Sequence, residues 1–333
     1  MQRRQLITLM SGTVALAALD GAAAFAMSRP GSTAPGTDHE ATPLDLRAWR
    51  AARRFVPTPF GRIACVERGA GPGALFLHGF PLSGFQWRGS LERLATHRRC
   101  IAPDFLGLGD TEVAPGGSVS PVTQVDMLVS LLDALDVGPV DLVANDSGCA
   151  VAQLLMTQHP GRVRTALLTN GDVEGNSPPP ALEPVIALAR LGRFADEWLV
   201  PWAADAARAR SPQGLGGLTY TYAINPTDDA IAAYLAPLVA SPERKALVNA
   251  YAVALDPDPL AGIEPALRRS TIPTRIVWGT GDTTFSSRSP DYLDRTLGRS
   301  RGVRRVDGAK LFFPEEFPDL IAEEALRLWD AQP

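Results

Sequence analysis

The run Leu142-Val143-Ala144-Asn145-Asp146-Ser147-Gly148-Cys149 sets a carboxylate between an apolar stretch and a helical one. Small residues stand two positions before it (Ala144) and two after it (Gly148). A sharp strand-to-helix turn, strained at its central residue, requires small neighbours at that spacing. Such a turn lifts one side chain clear of the sheet and aims a helix N-terminus at it. The free N–H groups and the helix dipole there stabilise negative charge. Asp146 is therefore the candidate reactive group, able to attack carbon or to move a proton. A register slip of one residue would present Ser147 instead, but its flanks, Asn145 and Cys149, suit the turn less well.

Other groups gather around this turn. His78-Gly79-Phe80-Pro81 follows an apolar run, so the backbone N–H groups of Phe80 and Ser147 can converge as an oxyanion hole. His78 and Trp87 complete the oxyanion and substrate-binding candidates, although a histidine in such a loop more often serves as a structural hydrogen-bonder. Trp278-Gly279-Thr280-Gly281-Asp282 places Asp282 at another strand exit, and Asp172 stands at the one before it. Either aspartate can be an ordinary loop or capping residue. Only four histidines exist. His39 falls in a linker-like stretch, His97 between a helix and a strand, and His159 at a helix end. No metal or cofactor motif appears, and these scattered histidines do not make a zinc site.

The elements that position these residues alternate. Strands are expected at Arg62–Val66, Ala74–Leu77, Cys100–Ala102, Val140–Ala144, Val163–Leu168, Thr274–Gly279 and Val303–Val306. Helical spacing covers Trp87–Ala95, Thr123–Leu135, Cys149–Gln158 and Glu315–Trp329. This alternation predicts an α/β fold with a mainly parallel central sheet covered by helices on both faces. Residues 173–270 are instead helical segments joined by Pro and Gly breaks, and read as an inserted cap. The core is then 51–172 and 271–333. Ligands of such sheets bind beyond the carboxyl ends of the strands, which places the site under the cap.

Composition narrows the function. The 333 residues are 45% hydrophobic and carry a net charge of -4, without the clustered basic face that nucleic-acid binding needs. Three cysteines, Cys65, Cys100 and Cys149, fit no zinc spacing and no disulfide framework, and read as buried apolar thiols. The N-terminus resembles a twin-arginine export signal, with Arg3 and Arg4 ahead of an Ala- and Gly-rich stretch. Ala24-Phe25-Ala26 offers a cleavage site, and Asp20 argues against a stable membrane span. Residues 1–26 are thus expected to be a signal, 27–50 a linker, and the mature protein periplasmic or extracellular.

HGFP, PDFLGLGDT, VANDSGC, QHPGRV, WGTGD and the terminal GAKLFFPEE together resemble the α/β-hydrolase superfamily from about residue 53 onward. The resemblance implies the α/β-hydrolase fold. An aspartate at the elbow resembles the branch of haloalkane dehalogenases, fluoroacetate dehalogenases and epoxide hydrolases. There the carboxylate forms an ester with substrate, and a histidine activates water to release it. The resemblance puts Asp282 in the acid position, Asp172 at an alternative acid position used by some relatives, and Leu311 where the histidine is expected. Lys310, beside it, is a substitute base only if desolvated. The Trp and Asn that dehalogenases use to hold halide correspond to Ser147 and Phe80 here. Cap tyrosines are what an epoxide hydrolase needs, and Tyr220, Tyr222, Tyr234 and Tyr251 fall in the cap.

Three functions follow. The first is a hydrolase acting on a small, largely apolar substrate through Asp146 with an unconventional base. The second is a lyase, isomerase or cyclase using Asp146 as general acid or base. The third is a binding protein on the same scaffold. The partner is a small molecule in each case, with no cofactor. The sequence leaves the oligomeric state open.

Overall fold

The computed structural model describes residues 44–330; the signal-type segment, the linker up to residue 43 and His39 lie outside the described residues. The expected linker ends sooner than residue 50. Leu46–Ala52 is a helix capped by Asp45, whose carboxylate accepts from the Ala48 N–H at 2.7 Å, and Trp49 on it is buried. Trp49 packs edge-on against Phe85, and that long-range contact holds a segment whose local composition reads as linker.

Nine strands form one sheet: β1 (Arg54–Thr58), β2 (Gly61–Arg68), β3 (Gly73–Leu77), β4 (Arg99–Pro103), β5 (Glu112–Val113), β6 (Val140–Asp146), β7 (Val163–Gly171), β8 (Thr274–Gly279) and β9 (Ser300–Val306). Their order is β1-β2-β4-β3-β6-β7-β8-β9, with β5 paired to β2. The run from β4 to β9 is parallel, and β1, β2 and β5 pair antiparallel at one edge. β3 and β6 are buried along their whole length, as strands covered on both faces are. β3 is an unbroken apolar run, whereas β6 also carries Asp141, paired with Arg98 and Arg164, and ends in Asn145 and Asp146. β1 lacks such a run and was not expected; its pairing with β2 defines it. The expected final helix is two pieces, Phe313–Glu316 and Pro318–Asp330, because Pro318 cannot continue the first.

Helices Arg88–Leu94 and Pro318–Asp330 pack together on one face of the sheet. Pro121–Ala134 and Ser147–Gln158 pack together on the other. Between β7 and β8 the chain leaves the sheet and builds the helical cap, whose longest helices are Asp228–Val239 and Pro242–Ala254. Cys65, Cys100 and Cys149 are buried free thiols.

Candidate active site

β6 runs directly into the helix Ser147–Gln158, and Asp146 is the joint. Its φ of 54° and ψ of -129° are left-handed values that a non-glycine residue adopts only when its surroundings impose them. Gly148 permits the turn: a Cβ there would lie 2.6 Å from the Leu77 carbonyl oxygen and 2.8 Å from that of His78. The small residue inferred at this spacing is thus a requirement of close approach between the elbow helix and β3.

The oxyanion candidates converge on the carboxylate itself. The Phe80 N–H donates to Asp146 Oδ2 at 2.7 Å. Burial raises the Asp146 carboxyl to about 7, and the charge of Asp282 adds to that rise; the N–H groups of Phe80 and Ser147 oppose it by favouring the ionised form. Asp146 lines a cavity of about 160 Å³ under the cap. Its walls include Phe80, Pro81, Phe194, Trp198, Trp202, Leu215, Leu311 and Phe312, with Thr219, Thr283 and Thr284 as lining hydroxyls. Asp146 is the one ionisable side chain among the described residues that line it.

Asp282 lies just outside this lining. Its Oδ2 accepts from Asn170 Nδ2 at 2.8 Å and its Oδ1 from the Thr284 N–H at 2.8 Å. Burial raises its carboxyl despite these bonds. Asn170 also clasps β8, accepting from the Gly279 N–H at 2.6 Å and donating to its carbonyl at 3.0 Å. Asp172 is buried, and burial followed by the charge of Asp146 pushes its carboxyl well up. Its backbone carbonyl accepts from Gln153 at 2.8 Å.

Several candidates stand elsewhere. His78 is fully buried; its Nδ1 bonds the Gly79 carbonyl at 2.8 Å and its Nε2 accepts from the Phe105 N–H at 3.0 Å. With both nitrogens engaged and burial lowering its pKa to about 4, it is a neutral loop fastener and contacts no substrate space. Trp87 is also removed from the cavity, packed against Phe76 within the core. Lys310 turns its Nζ to the Gly217 carbonyl at 2.6 Å, so its ammonium anchors the cap instead of standing by as a base. Tyr220 gives its hydroxyl to Glu315 at 2.6 Å, and Tyr222 is exposed against Phe317. Neither tyrosine lines the cavity, because the cap folds the Tyr220 side chain onto Glu315 and the Tyr222 ring onto Phe317.

Three contributors, Gln86, Asn145 and Asn170, were not singled out as site residues from the sequence, and Tyr251 was named only among the cap tyrosines. Gln86 accepts from the Gly79 N–H at 3.0 Å and donates to Asn145 Oδ1 at 2.6 Å. Asn145 reaches the Leu311 carbonyl at 3.1 Å, tying the elbow to the loop that carries Leu311. Asn170 holds Asp282, as described. Tyr251 brings its hydroxyl within 3.1 Å of Ser147 Oγ and stacks its ring on Phe80 at 5.3 Å and 8°. The available signal for Asn145 and Asn170 is a polar side chain inside an apolar strand, which must be hydrogen-bonded when buried.

Residues 74–324 match the model of the alpha/beta hydrolase family. A haloalkane dehalogenase of Mesorhizobium japonicum is 39% identical over 125 residues, 37% of this chain and 40% of that protein. Epoxide hydrolase 2 of Siraitia grosvenorii is 42% identical over 98 residues, 29% of this chain and 31% of that protein. The chain thus spans well under half the length of these two relatives. Among solved structures, the epoxide hydrolase CorEH superposes with a TM-score of 0.69 at 19% identity, covering 84% of this chain and 98% of that one, a likeness of fold. Sheet order, elbow, cap and the match over residues 74–324 agree: the chain belongs to the alpha/beta hydrolase family.

Proposed function

We propose that the protein is an enzyme of the hydrolase class that acts on a small, largely apolar substrate through Asp146. The observation that carries this is the carboxylate at the strained elbow, held by the Phe80 N–H and facing an apolar cavity under the cap. In the first half-reaction Oδ1, the oxygen Phe80 does not hold, attacks a substrate carbon. An O–C bond forms, and the bond to the leaving group breaks with its electron pair departing on that group. Oδ2 becomes the ester carbonyl oxygen, already beside the N–H donors that stabilise charge when water later attacks the ester carbon.

The second half-reaction lacks a conventional base. On this reading Leu311 stands at the base position, and the Asp282 carboxyl is engaged by Asn170 and Thr284. Losing a triad base costs roughly 10⁶ in rate in a serine hydrolase, about 8 kcal/mol of barrier. The ester therefore forms faster than it hydrolyses. Incubation with small chloroalkanes, bromoalkanes and epoxides, followed by peptide mass spectrometry, tests the reading. A substrate-sized mass increase on the peptide containing Asp146, absent in Asp146→Asn, is expected. Product release by Asp146→Asn at the wild-type rate would sink the assignment.

A second reading, a proton-transferring lyase, isomerase or cyclase, is favoured by one observation. A carboxyl near 7 populates both protonation states at neutrality, as a general acid–base group requires. Deuterium incorporation into substrate from heavy water without any adduct would select it. Export through the twin-arginine-type segment, with cleavage after Ala26, is part of the proposal. N-terminal sequencing of the mature protein checks it.

A further inference from the structure

We infer that the cavity over Asp146 is a binding site for a small organic cation, a protonated or quaternary amine carrying compact apolar groups. This goes beyond the covalent reading and does not depend on ester formation.

Asp146 lines the cavity, and Asp172 and Asp282 lie close enough that the charge of Asp146 disfavours ionisation of the first while the charge of the second disfavours ionisation of Asp146. No Lys, Arg or His is among the described residues that line the space. His78 is neutral and bonded at both nitrogens, and the Lys310 ammonium is spent on the Gly217 carbonyl. Asp146 thus stands in an apolar space whose described lining holds no compensating cation.

The walls decide what kind of cation fits. Phe80, Phe194, Trp198 and Trp202 form a continuous aromatic run, with successive ring centroids 5.7, 5.9 and 5.5 Å apart. Aromatic faces attract cations and at the same time bury alkyl groups. A strongly hydrated inorganic ion gains little from such walls. An alkylammonium keeps its charge against Asp146 and its carbon surface against the rings. A carboxylate ligand of the same shape meets ionised Asp146 and is repelled. Binding of a cation favours ionised Asp146, so affinity rises with pH through about 7 and then levels.

Calorimetry at pH 8 with cyclohexylamine (protonated there), cyclohexanol and cyclohexanecarboxylate tests this on three ligands of one shape. The amine is expected to bind roughly tenfold or more tightly than the alcohol, with the carboxylate weakest. Asp146→Asn removes the amine's advantage but leaves cyclohexanol binding, which shows that the pocket is still folded. Trp198→Leu weakens the amine by roughly three- to tenfold and the alcohol less. Equal or tighter binding of the alcohol overturns the inference. So does an amine advantage that survives Asp146→Asn, or no binding by any of the three. Amine binding without a covalent adduct in the mass experiment sinks only the covalent reading. An adduct without amine preference sinks only this one.

Discussion

The Tyr251 hydroxyl lies 3.1 Å from Ser147 Oγ while its ring stacks face to face on Phe80 at 5.3 Å. One cap side chain therefore touches both residues whose N–H groups favour the ionised form of Asp146. Cap docking and the geometry of the elbow are mechanically joined at this residue. Tyr251→Phe keeps the stack and removes one buried hydrogen bond, so it should cost about 1 kcal/mol of stability. Tyr251→Ala removes the ring as well and should cost about 3–5 kcal/mol, with a slower Asp146 adduct. Denaturant unfolding and adduct kinetics read the two effects. Equal behaviour of the two variants would contradict the role of the stack.

Asp146 and His78 pull stability in opposite directions across the same pH range. The Asp146 carboxyl is about 7 folded against 3.8 in its ordinary state, so between those values the unfolded chain binds fewer protons and stability falls as pH rises. That difference corresponds to on the order of 4 kcal/mol. His78 is about 4 folded against 6.5 ordinarily, so the unfolded chain binds more protons there and stability rises with pH. The two slopes largely cancel in the wild type. Asp146→Asn removes the falling one, so its stability relative to wild type should grow from pH 4 to 7 and hold steady above. Unfolding free energies measured at half-unit pH steps check this; a constant difference between the proteins would refute it.

Leu311→His places an imidazole on the cavity wall near Asp146. If the ester stalls for want of a base, wild type should release about one equivalent of leaving group per chain and then slow. The variant should continue to turn over, with ester breakdown faster by roughly 10² or more. Rapid-quench measurement of leaving group and alcohol separates the two steps. Equal breakdown rates would show that a different group serves as base.

Glu315 gathers Arg88 of the core and Tyr220 and Tyr234 of the cap, at 2.8, 2.6 and 2.9 Å. Its side chain is only 4% exposed, so truncation leaves Arg88 without its acidic partner, holding only the Phe85 carbonyl and ring. Glu315→Ala should lose about 3–5 kcal/mol by denaturant unfolding. Tyr234→Phe, which leaves Arg88 paired, should lose about 1 kcal/mol. A Glu315→Ala loss no larger than that of Tyr234→Phe would mean the cluster does not hold the cap.

The sequence by itself determined the elbow and the sheet around it. Apolar runs specify buried strands because a strand covered on both faces has no solvated side, and β8 spans the expected residues Thr274–Gly279. Ala144 and Gly148 specify the turn because a larger side chain at Gly148 would meet backbone oxygen atoms of β3 and the loop after it. Asp146 followed from that local geometry, and Phe80 from the His78-Gly79-Phe80-Pro81 run after β3. Only the tertiary structure decided the partners. Asn170 and Asp282 are 112 positions apart, Gln86 and Asn145 are 59, and Tyr251 is 104 from Ser147. Local spacing carries no information about such pairs. The same holds for His78, Lys310 and Tyr220, whose types suggested chemistry but whose hydrogen-bonding groups are engaged by Gly79 and Phe105, by Gly217 and by Glu315. A buried polar group must be satisfied, and which distant group satisfies it depends on how strands and cap pack.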